Sequence, residues 1–218
     1  MGSLEVITGC MFSGKTERLR DRIHRERFRY EHTEENPTVP LFKPVIDNRY
    51  GLPTNMISHN DTKTPCIPVS SSNDILSYLK THRPVSFIGI DEVQFLDDGI
   101  IDLCVEFTHD DDINVLVSCL NLDFRGEPFA FHNSSRTVGE LLAYAQHIQT
   151  LSAFCAYILP EQKKRCHREA FFTQRLFDDG EPVPFSDELV VVGGKKVLQE
   201  RRYEARCFQH HFVPGRPW

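Results

Sequence analysis

Short apolar runs alternate with amphipathic stretches through the first 150 residues of the chain. Runs that are rich in Val, Ile and Leu and lack a polar face are typical of parallel strands buried on both sides. The predicted strands cover residues 4–8, 39–46, 85–90 and 113–120. The predicted helices cover residues 15–30, the later part of 68–83, 100–107 and 136–149. This alternation predicts an α/β domain with a parallel sheet and flanking helices.

The pattern changes after about residue 150. Two cysteines flank the stretch AYILPEQKKR, the run LVVVGG at 189–194 predicts one more strand, and the tail carries a third cysteine with two histidines. We therefore divide the chain into an α/β domain of residues 1–150 and a smaller unit of residues 151–218.

Residues 9–16 read GCMFSGKT, which has the G-x-x-x-x-G-K-[ST] spacing of a loop that wraps nucleotide phosphates. The loop lies between a predicted strand and a predicted helix, so the N–H groups and positive dipole end of the helix face the phosphates. Gly9 and Gly14 allow the tight turn, and Lys15 can reach the β- and γ-phosphates. The Thr16 hydroxyl is a ligand for Mg²⁺. The loop therefore predicts a nucleotide bound with Mg²⁺.

Two carboxylates follow the buried run at 85–90. Asp91 comes directly after it, which is where the acidic partner of a phosphate loop holds Mg²⁺. Glu92 is next, and a second carboxylate beside the Mg²⁺ aspartate can act as a general base. The base can take a proton from water, as in an ATPase, or from a substrate hydroxyl, as in a kinase. The dipeptide alone leaves both alternatives open.

Composition and charge narrow the class of protein. The formal net charge of -6 argues against a nucleic-acid-binding face. No stretch approaches the ~20 apolar residues that a membrane helix needs, and the first residues lack the pattern of a secretory signal. The chain has seven cysteines, and an odd count without such a signal favours reduced thiols or a metal site over disulfides. We therefore expect a cytoplasmic protein.

Six further blocks occur in a fixed order between residues 4 and 212. They read GCMFSGKTERL, FKPVIDNRYG, FIGIDEVQFL, CLNLDFRGEPF, REAFFTQR and YEARCFQH. Together they resemble the thymidine kinases of the zinc-containing type, and the resemblance covers almost the whole chain. It implies transfer of the γ-phosphate of ATP to the 5′-hydroxyl of thymidine, with Glu92 as the general base and Asp91 and Thr16 at Mg²⁺.

The resemblance also implies which residues bind the two substrates. The implied ATP-binding residues are Gly9, Cys10, Met11, Phe12, Ser13, Gly14, Lys15, Thr16, Asp47, Asn48, Arg49, Asp91 and Gln94. The implied nucleoside-binding residues are Met11, Phe95, Leu120, Phe124, Thr173, Val191, Val192, Gly193 and Tyr203. A lasso loop that carries Leu189 to Gly194 would cover the base. Flat aromatic walls with a few polar contacts suit a pyrimidine.

A structural zinc site is the second implied feature. Cys207 and His210 have the spacing of half a zinc site, and the resemblance implies that Cys155 and Cys166 supply the other half. Ten residues separate Cys155 from Cys166, so we expect AYILPEQKKR to bulge out. From spacing alone, buried thiols are an equally good interpretation of the four residues. Three further cysteines have no ligand-like spacing, and we expect them to be buried apolar residues: Cys66, Cys104 and Cys119.

The resemblance further implies a homotetramer that dTTP inhibits, with no nucleic-acid or membrane partner. Two other functions remain open from the sequence. One is a kinase for another deoxynucleoside, such as deoxyuridine. Base preference depends on the lasso loop, and in this loop eight residues separate the glycine pair from Tyr203. A phosphate-loop ATPase or switch, in which Glu92 activates water, is the other.

Overall fold

The computed structural model describes residues 2–33, 37–45, 55–57, 63–189 and 201–217. The helices are α1 (Lys15–Tyr30), α2 (Ser72–Thr81), α3 (Gly99–His109) and α4 (Val138–Tyr144). The strands up to residue 119 are β1 (Leu4–Gly9), β2 (Leu41–Pro44), β3 (Asn55–Ile57), β4 (Lys63–Pro65), β5 (Ile67–Val69), β6 (Phe87–Ile90) and β7 (Asn114–Cys119). The later strands are β8 (His147–Leu151), β9 (Ala153–Phe154), β10 (Ile158–Leu159), β11 (Lys164–Arg165), β12 (Glu169–Ala170), β13 (Phe172–Phe177) and β14 (Arg201–Arg206).

A six-stranded sheet in the order β5-β2-β6-β7-β1-β8 organises the first part of the chain. The pairs β5–β2, β2–β6, β6–β7 and β7–β1 are parallel. Helices α1, α2 and α3 connect β1 to β2, β5 to β6 and β6 to β7, as expected for crossovers between parallel strands. The predicted α/β fold with a parallel sheet and flanking helices is confirmed.

The helix α1 packs closely on the sheet. Leu19 and Ile23 lie four residues apart on its buried face, and both side chains are fully buried. Gly89 in β6 makes this approach feasible, because a Cβ atom there would lie 2.5 Å from Cδ1 of Ile23. A larger residue at position 89 would therefore displace the Ile23 side chain from its place against the sheet.

The described residues form two compact units. The first contains Met1–Thr8, Lys15–Cys119 and Ala130–Gln149, and the second contains Gly9–Gly14, Leu120–Phe129 and Thr150–Trp218. Compact units do not by themselves define independently folding domains. The division into residues 1–150 and 151–218 therefore stays a prediction. Within the described residues, no helix has both the length and the apolar character to cross a membrane.

The predicted helix at 136–149 is wrong over its second half. Helix α4 ends at Tyr144, and residues 147–151 form β8 at the edge of the sheet. The side-chain oxygen of Gln146 accepts a hydrogen bond from the backbone N–H of Leu4 at 2.6 Å. The backbone N–H of Gln146 donates to the Leu4 carbonyl at 3.0 Å. Pairing with Leu4 at the start of β1 thus uses backbone groups that would otherwise bond within a longer helix.

The strand β5 was absent from the sequence prediction. It has only three residues and includes Pro68, and it pairs with β2 alone at the outer edge of the sheet. Proline is tolerated at such an edge because one side of the strand needs no partner. Of the predicted strand at 189–194, residues 190–194 lie outside the described residues.

Three antiparallel pairs build most of the second unit. Strand β13 pairs with β14 over six residues, so that Arg175 lies opposite Tyr203. Strand β9 pairs with β12, and β10 pairs with β11 as a hairpin. The hairpin occupies most of the stretch between Cys155 and Cys166, where the sequence predicted a bulge.

Candidate active site and metal centre

The phosphate loop has the backbone conformations that its glycines predict. Gly9 has φ of 146° and Gly14 has φ of 84°, in the region that side chains rarely adopt. A Cβ atom on Gly9 would lie 2.2 Å from the carbonyl oxygen of Leu151. Phe12 also has a positive φ, of 67°, and the Ser13 hydroxyl donates to the Cys10 carbonyl at 2.8 Å. A turn of this kind exposes successive backbone N–H groups to an anion.

Helix α1 begins at Lys15, directly after the loop. The Lys15 side chain is only 6% exposed, and Thr16 follows it in the first helical turn. The first turn of a helix has unpaired N–H groups and a positive dipole end, which favour a phosphate. Lys15 and Thr16 therefore lie in a part of the chain that favours anion binding.

The two carboxylates after β6 are held by a serine and a glutamine. The Ser118 hydroxyl donates to Oδ1 of Asp91, whose side chain is 1% exposed. The backbone N–H of Glu92 donates to the same Ser118 Oγ at 3.3 Å. The Gln94 amide donates to Oε2 of Glu92. The carboxylates therefore have fixed positions before any ligand binds.

Glu92 has a strained backbone. Its φ of 48° and ψ of 47° are left-handed, which is unfavourable for a residue with a Cβ atom. Strain of this kind persists at functional sites where the surrounding structure compels it. Because β1, β6 and β7 are parallel, their carboxyl ends lie along one edge of the sheet. That edge is where α/β proteins bind ligands.

Two candidate nucleoside-binding residues of the second unit contact each other directly, and three are buried. The N–H of Met11 donates to the Thr173 hydroxyl at 3.0 Å. Leu120, Phe124 and Thr173 are all buried. In the first unit, Phe95 is half-buried at the end of the 3₁₀ turn Val93–Phe95.

Phe124 lies on a tightly hydrogen-bonded loop. Oδ1 of Asp123 accepts the backbone N–H groups of Arg125 at 2.8 Å and Glu127 at 3.1 Å. Burial raises the pKa of the Asp123 carboxyl, and these two hydrogen bonds act against that rise. The Phe124 carbonyl oxygen lies 2.9 Å from Nε2 of His211. This contact gives His211 a role in the loop, and leaves His210 as the predicted zinc ligand.

For several predicted site residues, the structure gives no test of the predicted role. Tyr203 lies in β14 and is half-buried. The predicted residues that lie outside the described part of the chain are Asp47, Asn48, Arg49, Val191, Val192 and Gly193. The lasso, of which only Leu189 is described, falls in the same group.

Four predicted zinc ligands form one cluster in the second unit. The ligand atoms of Cys155, Cys166, Cys207 and His210 all lie within 4.8 Å of one another. Nδ1 of His210 is 3.6 Å from the Cys155 sulfur and 3.4 Å from the Cys207 sulfur. In a tetrahedral zinc site, bond lengths of about 2.3 and 2.0 Å place sulfur and nitrogen ligands about 3.5 Å apart. The geometry and the donor atoms therefore fit Zn²⁺.

The backbone around the cluster shapes it for a metal. The β10–β11 hairpin returns the chain so that the N–H of Cys166 donates to the Tyr157 carbonyl at 2.8 Å. The N–H of His210 donates to the Cys207 carbonyl at 3.0 Å, which closes the turn between these two ligands. The His210 ring stacks on Tyr157 with a centroid distance of 4.2 Å. The ten-residue spacing is thus compatible with a compact cluster.

The electrostatics of Cys207 also favour a metal ligand. Burial raises the pKa of its thiol, but the N–H groups of Gln209 and His210 and the thiol of Cys155 more than offset this, so the pKa is lowered. A thiol must lose its proton to bind a metal. By contrast, burial raises the pKa of Cys104 and of Cys119 to about 12, as for inert apolar cysteines.

Cys10 connects the phosphate loop to this cluster. Its side chain is buried and packs with Cys155, Cys207, Ala170 and Ala205. Its thiol donates to the Ala170 carbonyl at 3.2 Å. The loop that would hold phosphates therefore rests on the same small core as the candidate metal ligands.

A comparison with known families decides between the acceptors that the sequence left open. The family model for thymidine kinase matches residues 2–211. The chain belongs to the thymidine kinase family. The prediction of an ATP-dependent phosphotransferase that phosphorylates thymidine is confirmed, and the ATPase or switch alternative is not favoured.

Two residues near the candidate site make contacts that no sequence motif indicates. Ser118 is the next-to-last residue of the mostly apolar strand β7, where a serine is usually unremarkable, yet it contacts both Asp91 and Glu92. Arg175 is the third residue after Ala-Phe-Phe in the block REAFFTQR, and its side chain is completely buried. Only the fold brings them to the candidate site.

Proposed function

We propose that Glu92 is the general base of this thymidine kinase. Its carboxylate would accept the proton of the thymidine 5′-hydroxyl as the oxygen attacks the γ-phosphorus of ATP, with ADP as the leaving group. The observation that carries this role is the fixed position of Glu92. The residue follows the buried Asp91 at the end of β6, in a left-handed conformation and with a hydrogen bond from Gln94.

The phosphate loop and the start of α1 would hold ATP. The backbone of Gly9–Gly14 would surround the phosphates, and Lys15 would contact the β- and γ-phosphates. Thr16 and Asp91 would hold Mg²⁺, which offsets the charge on the transferred group. Gln94 completes the described part of this set, and we assign Asp47, Asn48 and Arg49 to the phosphates as well.

The nucleoside site would consist of apolar walls and a few polar groups. Phe95, Leu120 and Phe124 would pack against the base, and Met11 and Thr173 would line the same site. The remaining proposed contacts are Val191, Val192, Gly193 and Tyr203. Water excluded by such walls cannot compete with thymidine for the phosphoryl group.

We assign the Cys3His cluster to a structural zinc ion, as in the zinc-containing type of thymidine kinase. Cys155, Cys166, Cys207 and His210 would be its four ligands, and a closed four-ligand site leaves no position for a substrate. The ion would hold the β10–β11 hairpin and the turn at Cys207 together. Its role is therefore in folding rather than in chemistry.

The wider context of the activity follows from the family. We propose a cytoplasmic homotetramer that produces dTMP for DNA precursors and that dTTP inhibits. All seven cysteines are free thiols, which agrees with a reducing compartment.

The variants Glu92→Ala and Glu92→Gln test the general base. We expect thymidine phosphorylation to fall by roughly 10²-fold or more in both, because the proton acceptor is lost. Binding of ATP with Mg²⁺, measured by calorimetry, should be retained. Glu106→Ala is the matched control, because Glu106 lies exposed on α3 away from this edge of the sheet. Near-normal turnover in both Glu92 variants would rule out the assignment.

A further inference from the structure

A completely buried arginine lies in the second unit. The side chain of Arg175 in β13 has no solvent exposure. A buried guanidinium is unfavourable unless its charge and its donors are satisfied. Nη2 of Arg175 contacts Oδ2 of Asp187 at 3.0 Å and donates to the Glu188 carbonyl at 2.6 Å. Nη1 lies 3.5 Å from the Leu189 carbonyl, so the side chain connects β13 to residues 187–189.

The same guanidinium stacks on a candidate nucleoside-binding residue. Its Cζ atom lies 3.6 Å from the ring centroid of Phe124, a distance at which the planar group covers one face of the ring. Arg175 therefore contacts both Phe124 and residues 187–189. Phe124 can present to a nucleoside only the part of its ring that the guanidinium leaves uncovered.

Strand geometry relates Arg175 to the rest of the nucleoside site. Thr173 precedes it by two residues in β13, so the two side chains point to the same side of the strand. The Thr173 hydroxyl accepts the N–H of Met11 at 3.0 Å. One side of β13 therefore carries Thr173, a predicted nucleoside contact, and beside it Arg175, which packs against Phe124, a second predicted nucleoside contact.

We propose that Arg175 is a positioning residue that sets nucleoside affinity by holding the Phe124 ring and residues 187–189 in one arrangement. This proposal rests on the proposed function of Phe124 and Thr173 in nucleoside binding. The planar guanidinium is essential to it, because only a flat group can stack on the ring while donating sideways to Asp187 and Glu188. A lysine at this position keeps the charge but loses both the stacking and the fork of donors.

A positioning role and a purely structural role give different kinetics. If Arg175 only stabilises the fold, its replacement lowers the melting temperature and the active fraction, but the KM values of the folded enzyme stay the same. If Arg175 positions Phe124, the KM for thymidine rises while the KM for ATP stays within about twofold, because the contact lies among nucleoside-binding residues.

The test compares Arg175→Lys, Asp187→Asn and Asp187→Ala with the unmodified protein. We expect Arg175→Lys to raise the KM for thymidine by about tenfold, the effect of losing a charged hydrogen bond and a buried cation–π contact. Asp187→Asn keeps an oxygen acceptor, so its KM for thymidine should stay within about threefold of that of the unmodified protein. The KM for thymidine of Asp187→Ala should rise by more than about threefold. Thus the conservative change at 187 should restore most of the affinity that alanine loses.

Arg206→Lys is the matched control. Arg206 is also buried, lies in the paired strand β14 and bonds Glu204 at 2.8 Å, but it lies over Tyr157 rather than Phe124. We expect it to lower the melting temperature without changing the KM for thymidine. If Arg175→Lys does not fold, the two Asp187 variants decide the question by the same KM comparison.

The failures of the two proposals are distinguishable. An unmodified protein that does not phosphorylate thymidine overturns the proposed function and this inference with it. An active unmodified protein, with an unchanged KM for thymidine in Arg175→Lys or, if that variant does not fold, in Asp187→Ala, overturns the inference alone.

Discussion

At the scale of single residues, the positions of the two candidate active-site carboxylates depend on the hydroxyl of Ser118. This one group donates to the Asp91 carboxylate and accepts the backbone N–H of Glu92. It therefore fixes the proposed Mg²⁺ ligand and the proposed base relative to each other. A hydrogen bond to a buried charged group stabilises a protein by about 1.5–3 kcal/mol.

Replacing Ser118 by alanine should weaken the binding of ATP with Mg²⁺. We expect the apparent Kd, titrated at increasing Mg²⁺, to rise by about tenfold, because Asp91 loses the donor that orients it. Ser77→Ala, on the exposed face of α2, is the control. An unchanged Mg²⁺ dependence in Ser118→Ala would show that the hydroxyl has no part in metal binding.

The residue scale also shows what the sequence could reveal. Gly9, Gly14 and Asp91 were predictable because a spacing or a position after a buried run carries their chemistry. Ser118 was not, because its partner Asp91 lies 27 residues away along the chain. The block REAFFTQR includes Arg175 but does not indicate its contact with Asp187, 12 residues away. A single sequence contains no signal for contacts of that kind.

At the scale of elements, the β10–β11 hairpin explains how two cysteines with ten residues between them can lie in one cluster with Cys207 and His210. The hairpin carries the intervening residues away and returns Cys166 to Cys155. The same small core includes Cys10 of the phosphate loop. Loss of the metal should therefore affect the loop as well as the fold.

Replacing Cys207 by serine tests this connection. We expect elemental analysis to show loss of zinc and the melting temperature to fall by about 5–10 °C, the equivalent of a few kcal/mol in a chain of this size. The KM for ATP should also rise, because Cys10 loses its packing. Cys66→Ser, a buried cysteine outside the cluster, should keep its zinc. If the unmodified protein contains no zinc, the metal proposal is wrong.

Helices and strands were predictable where the local sequence favoured one of the two conformations strongly. The strands β1, β6 and β7 are apolar runs buried in the sheet, and their existence followed from the sequence. The stretch 136–149 was ambiguous, because its first half favours a helix while its second half can pair with the sheet edge at β1. Tertiary pairing decided that competition, and local propensity does not contain it.

At the scale of the whole molecule, family and fold agree on the class of reaction. The match extends over residues 2–211, and within it lie the phosphate loop, both carboxylates and the Cys3His cluster. The phosphate loop alone could not distinguish water from a nucleoside as the acceptor. How strictly the enzyme prefers thymidine over other deoxynucleosides now becomes the central question for experiment.

The most direct test measures ADP formed from ATP and Mg²⁺ with a panel of nucleosides and a control without nucleoside. Thymidine, deoxyuridine, deoxycytidine and 5′-deoxythymidine, which lacks the accepting hydroxyl, form the minimal panel. We predict ADP with thymidine, no ADP above the control with 5′-deoxythymidine, and little ADP in the control itself. Equal ADP formation with and without thymidine would mean that water accepts the phosphate, and it would contradict the account.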